Sequence, residues 1–386
     1  MVLRTKIPGR GNSFLRLLDR YVGIPSVAAL GGLRKRRLRP RRISKIGLLE
    51  TAAIGDTVLS GGVVADLRSA FPDSRITFFA GETNYETALL LDGPDAVIRL
   101  PLNRPLAAAR IVRICDLDVL IDFGSWPRVN AIICILADAR FSVGFRTAGQ
   151  HRHYGYDLVV AHSPFVHEIE NLRQLVGWMG INATHLPTLD RKRLPATPII
   201  VSSPGYVVLH LWPGGKRHRE KQWPIKSWVC LIERFVSLGF SVVLSGAPSQ
   251  DRANREIIST VQEHCRRNVI NGAGLSIAET AALARDARLV VSVDTGIMHL
   301  AAALGAPVVA LHGPTSARRW GPLSKNAAVI DSPHPHAGYL YLGFEFTVKA
   351  RRCMEAISCD MVFEESLKQL QHELGRVNSG TQTSYQ

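Results

Sequence analysis

The chain has 386 residues, 46% hydrophobic and 20% charged, a composition that accommodates two globular domains and excludes a disordered or fibrous polymer. Its net charge of +15 is unevenly placed: residues 1–45 hold 13 Lys/Arg against one acid, Asp19, whereas the rest hold 34 against 31. The body is nearly neutral, and the basic segment suits a phosphate-rich partner, either an anionic membrane or nucleic acid.

Residues 1–42 read as a basic amphipathic extension. Phe14, Leu15, Leu17, Leu18, Tyr21 and Val22 fall mainly on one side of a helix, which Gly23 and Pro25 interrupt, and the polybasic run 33–42 follows. That combination fits a membrane surface. No run reaches the ~20 apolar residues of a spanning helix. No secretory signal order is present, so a cytoplasmic chain, peripheral on the inner membrane, is expected. The six cysteines form no C-x-x-C pair and read as free thiols.

From residue 43 the pattern becomes short apolar runs alternating with helices. Strands are predicted at 46–49, 75–79, 96–100, 117–123 and 141–145, with helices at 56–69 and 127–138. This gives a first Rossmann-like acceptor domain at 43–185. Residues 186–205, rich in Pro, Ser and charge, form a linker. The alternation restarts in a second Rossmann-like domain at 206–340, with strands at 207–210, 241–245, 268–270, 289–293 and 308–311. Helices are predicted there at 227–238, 252–263, 276–285 and 296–304. A C-terminal segment and helix (341–375) and a disordered tail (376–386) complete the chain. Strands separated by helices imply an α/β fold of two doubly wound domains facing a cleft, with ligands at the carboxyl ends of the sheets.

Four strand-end loops carry candidate chemistry. In 50–58, Gly55 permits close backbone approach, and Asp56 is placed for general-base work or as a simple helix cap. In 210–224, a Pro-Gly-Gly turn is followed by Lys216, Arg217, Arg219 and Lys221, cations suited to a diphosphate. The P-loop spacing is absent. In 292–303, Asp294-Thr295-Gly296 opens a helix whose terminal amides and dipole favour an anion, with His299 one turn in. In 312–322, Gly313 and Thr315 offer further hydrogen bonds. Asp116-Leu117-Asp118 is formally a D-x-D, but it leads directly into a strand and reads as an exposed turn. His334-Pro335-His336 lacks a second ligand pair, so no metal is expected.

The order G-D-T, P-G-G…K-x-W-P, D-T-G-x-x-H-x-A-A-A-L-G-x-P, then G-P-T…R-R-W-G-P resembles glycosyltransferase family 9, which contains the lipopolysaccharide heptosyltransferases. The likeness runs from about Ile43 to Glu365 and includes 353–357. It implies a GT-B fold, inversion at the anomeric carbon and no cofactor or metal. It further implies Asp56 as catalytic base and Lys221 as a donor-phosphate contact; Lys216, Gly313 and Thr315, read from their own loops, are expected around the same diphosphate. Thr295, Gly296 and His299 would hold the phosphates, Asp294 the donor sugar, and Leu275 the adenine side. The expected substrates are a nucleotide-diphospho-sugar, ADP-heptose above others, and a lipid-linked oligosaccharide. The chain departs from the family in a longer 210–221 loop, in lacking a Glu within 246–251 where a ribose contact is usual, and in residues 1–42. A GT-B sugar-nucleotide epimerase and a non-enzymatic polyanion-binding protein are the alternatives.

Overall fold

The computed structural model describes residues 17, 19–199, 205–215, 217–341, 349 and 351–380, with 373–380 by backbone alone. The chain divides into two compact units, 1–188 and 189–386, so the break falls inside the expected linker.

Unit 1 carries β1 (Lys45–Glu50), α2 (Ile54–Ala70), β2 (Arg75–Ala80), α3 (Tyr85–Ala88), β3 (Ala96–Arg99), α4 (Pro105–Ile114), β4 (Val119–Asp122), α5 (Arg128–Ala137), β5 (Ser142–Arg146), β6 (Leu158–Ala161) and α6 (Glu168–Gln174), all preceded by α1 (Ile24–Gly32). Its six strands run in the order β3-β2-β1-β4-β5-β6, and every pairing is parallel. The central strands are covered on both faces. Their apolar runs are therefore continuous, and Leu48 stands level with Phe78 on one side and Ile121 on the other.

Unit 2 repeats the plan with β7 (Tyr206–His210), α7 (Ile225–Ser237), β8 (Ser241–Gly246), α8 (Asp251–Thr260), α9 (Glu263–Arg266), β9 (Val269–Ala273), α10 (Ile277–Asp286), β10 (Leu289–Val293), α11 (Gly296–Ala303), β11 (Val308–His312), α12 (Ala317–Trp320), β12 (Ala327–Asp331) and α13 (Cys359–Gly380). The order β12-β11-β10-β7-β8-β9 is, strand for strand, the order of unit 1. Each half thus has one topological switch point, between β1 and β4 and between β7 and β10, where doubly wound sheets bind ligands. β6 and β12 are absent from the sequence-predicted strands; both are short edge strands that are only partly buried.

Two boundaries differ from expectation. Residues 19–42 are not a separate extension. Pro25 occupies the first turn of α1, where proline is tolerated, so the helix continues to Gly32. Val27 is fully buried in the unit 1 core. Gly31 packs so closely that an added Cβ would lie 2.3 Å from the Tyr154 carbonyl oxygen. The strap that follows is pinned by Arg34, which bonds Asp157 at 2.8 Å, Ser142 Oγ at 3.0 Å and the Gly155 carbonyl at 3.1 Å. Asp19 pairs with Arg128. At the other end, α13 runs to Gly380, past the expected limit of 375. Phe14, Leu15, Leu18 and 381–386 lie outside the described residues. Among the described residues no helix is long and apolar enough to cross a membrane, and the six cysteines are unpaired as disulfides.

Candidate functional site

In unit 2, β10 ends at Val293 and the chain turns through Asp294 into α11. Thr295 is the N-cap: its Oγ1 accepts from the amides of Ile297 at 3.2 Å and Met298 at 3.4 Å. Gly296 opens the helix. Asp294 is nearly buried, and its Oδ2 accepts from Lys221 Nζ at 3.1 Å and Thr315 Oγ1 at 2.8 Å. Lys221 also donates to the Asp294 carbonyl at 3.3 Å. Three separate loops, after β7, β10 and β11, therefore converge on one carboxylate. Burial pushes the Asp294 carboxyl up, but Lys221, His312, His299 and the Thr315 hydrogen bond outweigh it and hold the group at about 2. Asp294 is ionised at neutral pH, and His299, itself buried, stands within its field.

The other sequence candidates divide. Leu275 is half-buried at the carboxyl end of β9, immediately before Ser276, which caps α10 in a reciprocal box with Glu279. Gly313 has a packing role. An added Cβ would lie 2.4 Å from Met354 Sδ, and the Gly313 carbonyl accepts from the Gly338 amide at 2.9 Å. Arg217 is committed to a two-pronged pair with Glu220, at 2.6 and 2.7 Å, and lies over the Tyr339 ring. Tyr339 also bonds Glu220. The basic loop is thus braced by its own acid and is not a row of free cations. Lys216 lies outside the described residues.

Two histidines were missed as individuals. His312, at the end of β11, is fully buried, and neither ring nitrogen has a hydrogen-bond partner among the described residues. Burial lowers its pKa against the opposing pull of Asp294 and Asp331. His210, at the end of β7, bonds Ser245 Oγ at 2.8 Å and is pushed down to about 4 by burial. It is a neutral, internally satisfied group. Only their position at strand ends signalled them.

In unit 1, Asp56 is the third residue of α2, half-buried, and Ala53 is the N-cap residue, so the simple capping reading does not hold. Ala53 has φ of 67°, a conformation costly for an L-residue with a side chain. Hydrogen bonds fix the loop around it. Asn84 donates to the Glu50 carbonyl and to Thr57 Oγ1, both at 2.8 Å. Thr57 Oγ1 donates to the Ala53 carbonyl at 2.8 Å, and Thr51 Oγ1 donates to Asn130 Oδ1 at 2.8 Å. Asn130 in turn reaches Asp122 at 3.0 Å, and Asp122 also binds Arg152 and Tyr156. Asp122 and Arg152 are fully buried. Nothing in the sequence spacing links these residues.

The D-x-D lies at the opposite, amino end of the sheet. Asp118 accepts from the amides of Ser44 and Lys45, from Ser44 Oγ and from Arg140, and so anchors the start of β1.

The doubled strand order, with a carboxylate loop at one switch point and a Thr-capped helix start at the other, defines the class as a GT-B-fold protein. The family model for glycosyltransferase family 9 (heptosyltransferase) matches residues 109–339, and the chain belongs to that family. It is 33% identical over 124 residues to lipooligosaccharide heptosyltransferase 2 of Haemophilus influenzae, covering 32% of this chain and 36% of that protein. With the Haemophilus ducreyi enzyme of the same name it shares 38% over 121 residues, covering 31% and 35%. The chain thus spans about a third of the length of these curated relatives. The solved ADP-heptose lipopolysaccharide heptosyltransferase II of Escherichia coli superposes with a TM-score of 0.70 at 21% identity, over 85% of this chain and 99% of that one, which establishes the shared fold.

Proposed function

We propose that the protein is an inverting, metal-independent glycosyltransferase that moves a heptose from ADP-heptose to a lipopolysaccharide core or similar lipid-linked glycan. The observation that carries this reading is the convergence of Lys221, Asp294 and Thr315 at the start of α11. Asp294 orients Lys221 and offers its remaining acceptor capacity to sugar hydroxyls. Lys221, the Gly296 amide and His299 face the diphosphate, where negative charge grows as the bond to the anomeric carbon breaks. The acceptor oxygen attacks that carbon from the opposite side, its proton passes to the Asp56 carboxylate, and the nucleoside diphosphate leaves with the bonding pair. Protein cations and amides take the place of a divalent ion. The basic segment 1–45 supports a further element of the reading, a peripheral position on the anionic inner leaflet where such acceptors reside.

The test compares wild type with Asp56→Asn. The variant keeps shape but has no base. Its kcat should fall on the order of 10²-fold or more, with donor affinity retained. Wild-type turnover should persist in EDTA and require an acceptor. Near-normal kcat in Asp56→Asn removes that residue from the chemistry. Inhibition by EDTA reversed by Mg²⁺ or Mn²⁺ removes the metal-independent mechanism, and turnover of donor alone favours an epimerase.

A further inference from the structure

Helix α4 turns a face outward that the fold leaves uncovered. Ala108, Ala109 and Val112 are buried, while Leu106, Arg110, Arg113 and Ile114 are exposed, spaced as one side of a helix. Ile114 is 83% exposed and Leu106 66%. No acid lies on this face. The strap has the same character, with Leu33 at 86% and Leu38 at 93% exposure, among exposed Lys35, Arg36, Arg39, Arg41 and Arg42.

The two surfaces are joined. Arg37 of the strap pairs with one oxygen of Asp138, and Arg113 of α4 reaches the other at 3.7 Å. Arg37 also donates to the carbonyl of Asp138 at 3.1 Å. Asp138, the residue after α5, thus brings the outer face of α4 beside the strap, and its own charge is met by both arginines. Arg34 and Arg37 face inward as anchors, leaving the other strap cations to solvent.

We propose that the strap and the outer face of α4 form one surface that docks on an anionic lipid bilayer. The inference rests on the peripheral-membrane part of the proposed function but assigns the contact to unit 1 itself, including residues far outside the N-terminal segment. Cations interspersed with nearly naked leucine and isoleucine side chains match head-group phosphates above and acyl chains below. A nucleic-acid groove needs the cations and has no use for the four aliphatic side chains.

The experiment is sedimentation of the full chain with vesicles of phosphatidylglycerol and phosphatidylcholine in equal parts, or of phosphatidylcholine alone. The variant R110Q/R113Q removes two cations on α4. R252Q/R255Q removes two exposed cations on α8 and serves as the net-charge control. At about fivefold per cation, R110Q/R113Q should bind the anionic vesicles roughly 30-fold more weakly, and the control should bind like wild type. L106S/I114S should also lose affinity, most visibly at high salt, where charge is screened. All variants should melt like wild type and turn over a soluble acceptor normally. This separates the docking surface from the transferase reading, because loss of turnover with vesicle binding intact would count only against the latter. Wild-type affinity in R110Q/R113Q, an equal drop in the control, equal binding to phosphatidylcholine alone, or preference for duplex DNA over anionic vesicles would each overturn the proposal.

Discussion

Replacing Lys221 with methionine keeps much of the side-chain volume and removes the charge beside Asp294. The Asp294 carboxyl is held at about 2 against an ordinary 3.8. A depressed carboxylate adds stability above its unfolded pKa, and that contribution is lost as pH falls through the folded value. At 1.36 kcal/mol per unit the difference is on the order of 2.5 kcal/mol, present at pH 7 and gone by about pH 2. Lys221 is the strongest group opposing burial at this site. Its loss leaves a buried carboxylate facing Thr315 and two histidines, which should cost about 3 kcal/mol at neutral pH. The cost should shrink between about pH 5 and pH 2, as Asp294 takes up its proton in the variant first. The double variant Lys221→Met/Asp294→Asn should recover most of the lost stability. Urea unfolding followed by tryptophan fluorescence reads this out, in a background carrying Trp126→Phe and Trp178→Phe so that unit 2 reports alone. A gap between wild type and Lys221→Met that stays constant over that pH range would refute the pairing argument.

Lys221→Ala and His299→Ala should each weaken ADP binding by roughly 10- to 100-fold, the worth of a charge-assisted hydrogen bond, with AMP less affected. Calorimetric titration giving unchanged ADP affinity in both would displace the phosphate site. Gly313→Ala should destabilise unit 2 by about 1–3 kcal/mol through overpacking against Met354, and an unchanged melting temperature would show that Met354 yields freely. A chain starting at Ile43 should lose about 3 kcal/mol or more from unit 1, because Asp157 is stranded without Arg34 and the Val27 site is emptied. Melting identical to that of the full chain would mean that α1 and the strap contribute nothing to the fold.

The loops that carry Asp56, Asp294 and Thr315 were legible because a parallel sheet puts its ligand groups where apolar runs stop and helices start. Lys221 was legible as one of a cluster, but its neighbour Arg217 was misplaced by the same logic. Counting cations along a loop does not reveal that Glu220 and Tyr339 close around one of them. Gly313 illustrates a second limit: a glycine beside a ligand loop and a glycine beside a methionine 41 positions later look alike in sequence. The strap was misread because its amphipathic and basic character is real, while its anchors, Asp138 and Asp157, lie more than a hundred residues away. The Asp122–Asn130–Thr51 chain under the Asp56 loop left no local pattern at all.

The placement of α13 bears on how the protein is made. The core of unit 1 is assembled from residues between Val27 and Val176, whereas that of unit 2 includes Val362 and Leu370. Trp223 Nε1 also waits for the Ile357 carbonyl, at 2.9 Å. On the ribosome, unit 1 has its whole core available before most of unit 2 exists. At about 5–20 residues per second, the interval from Thr188 to Leu370 lasts roughly 10–40 s. For that time the half-built β7–β12 sheet presents uncovered valines and leucines. Nascent unit 2 is therefore the part of this protein on which a chaperone has something to hold.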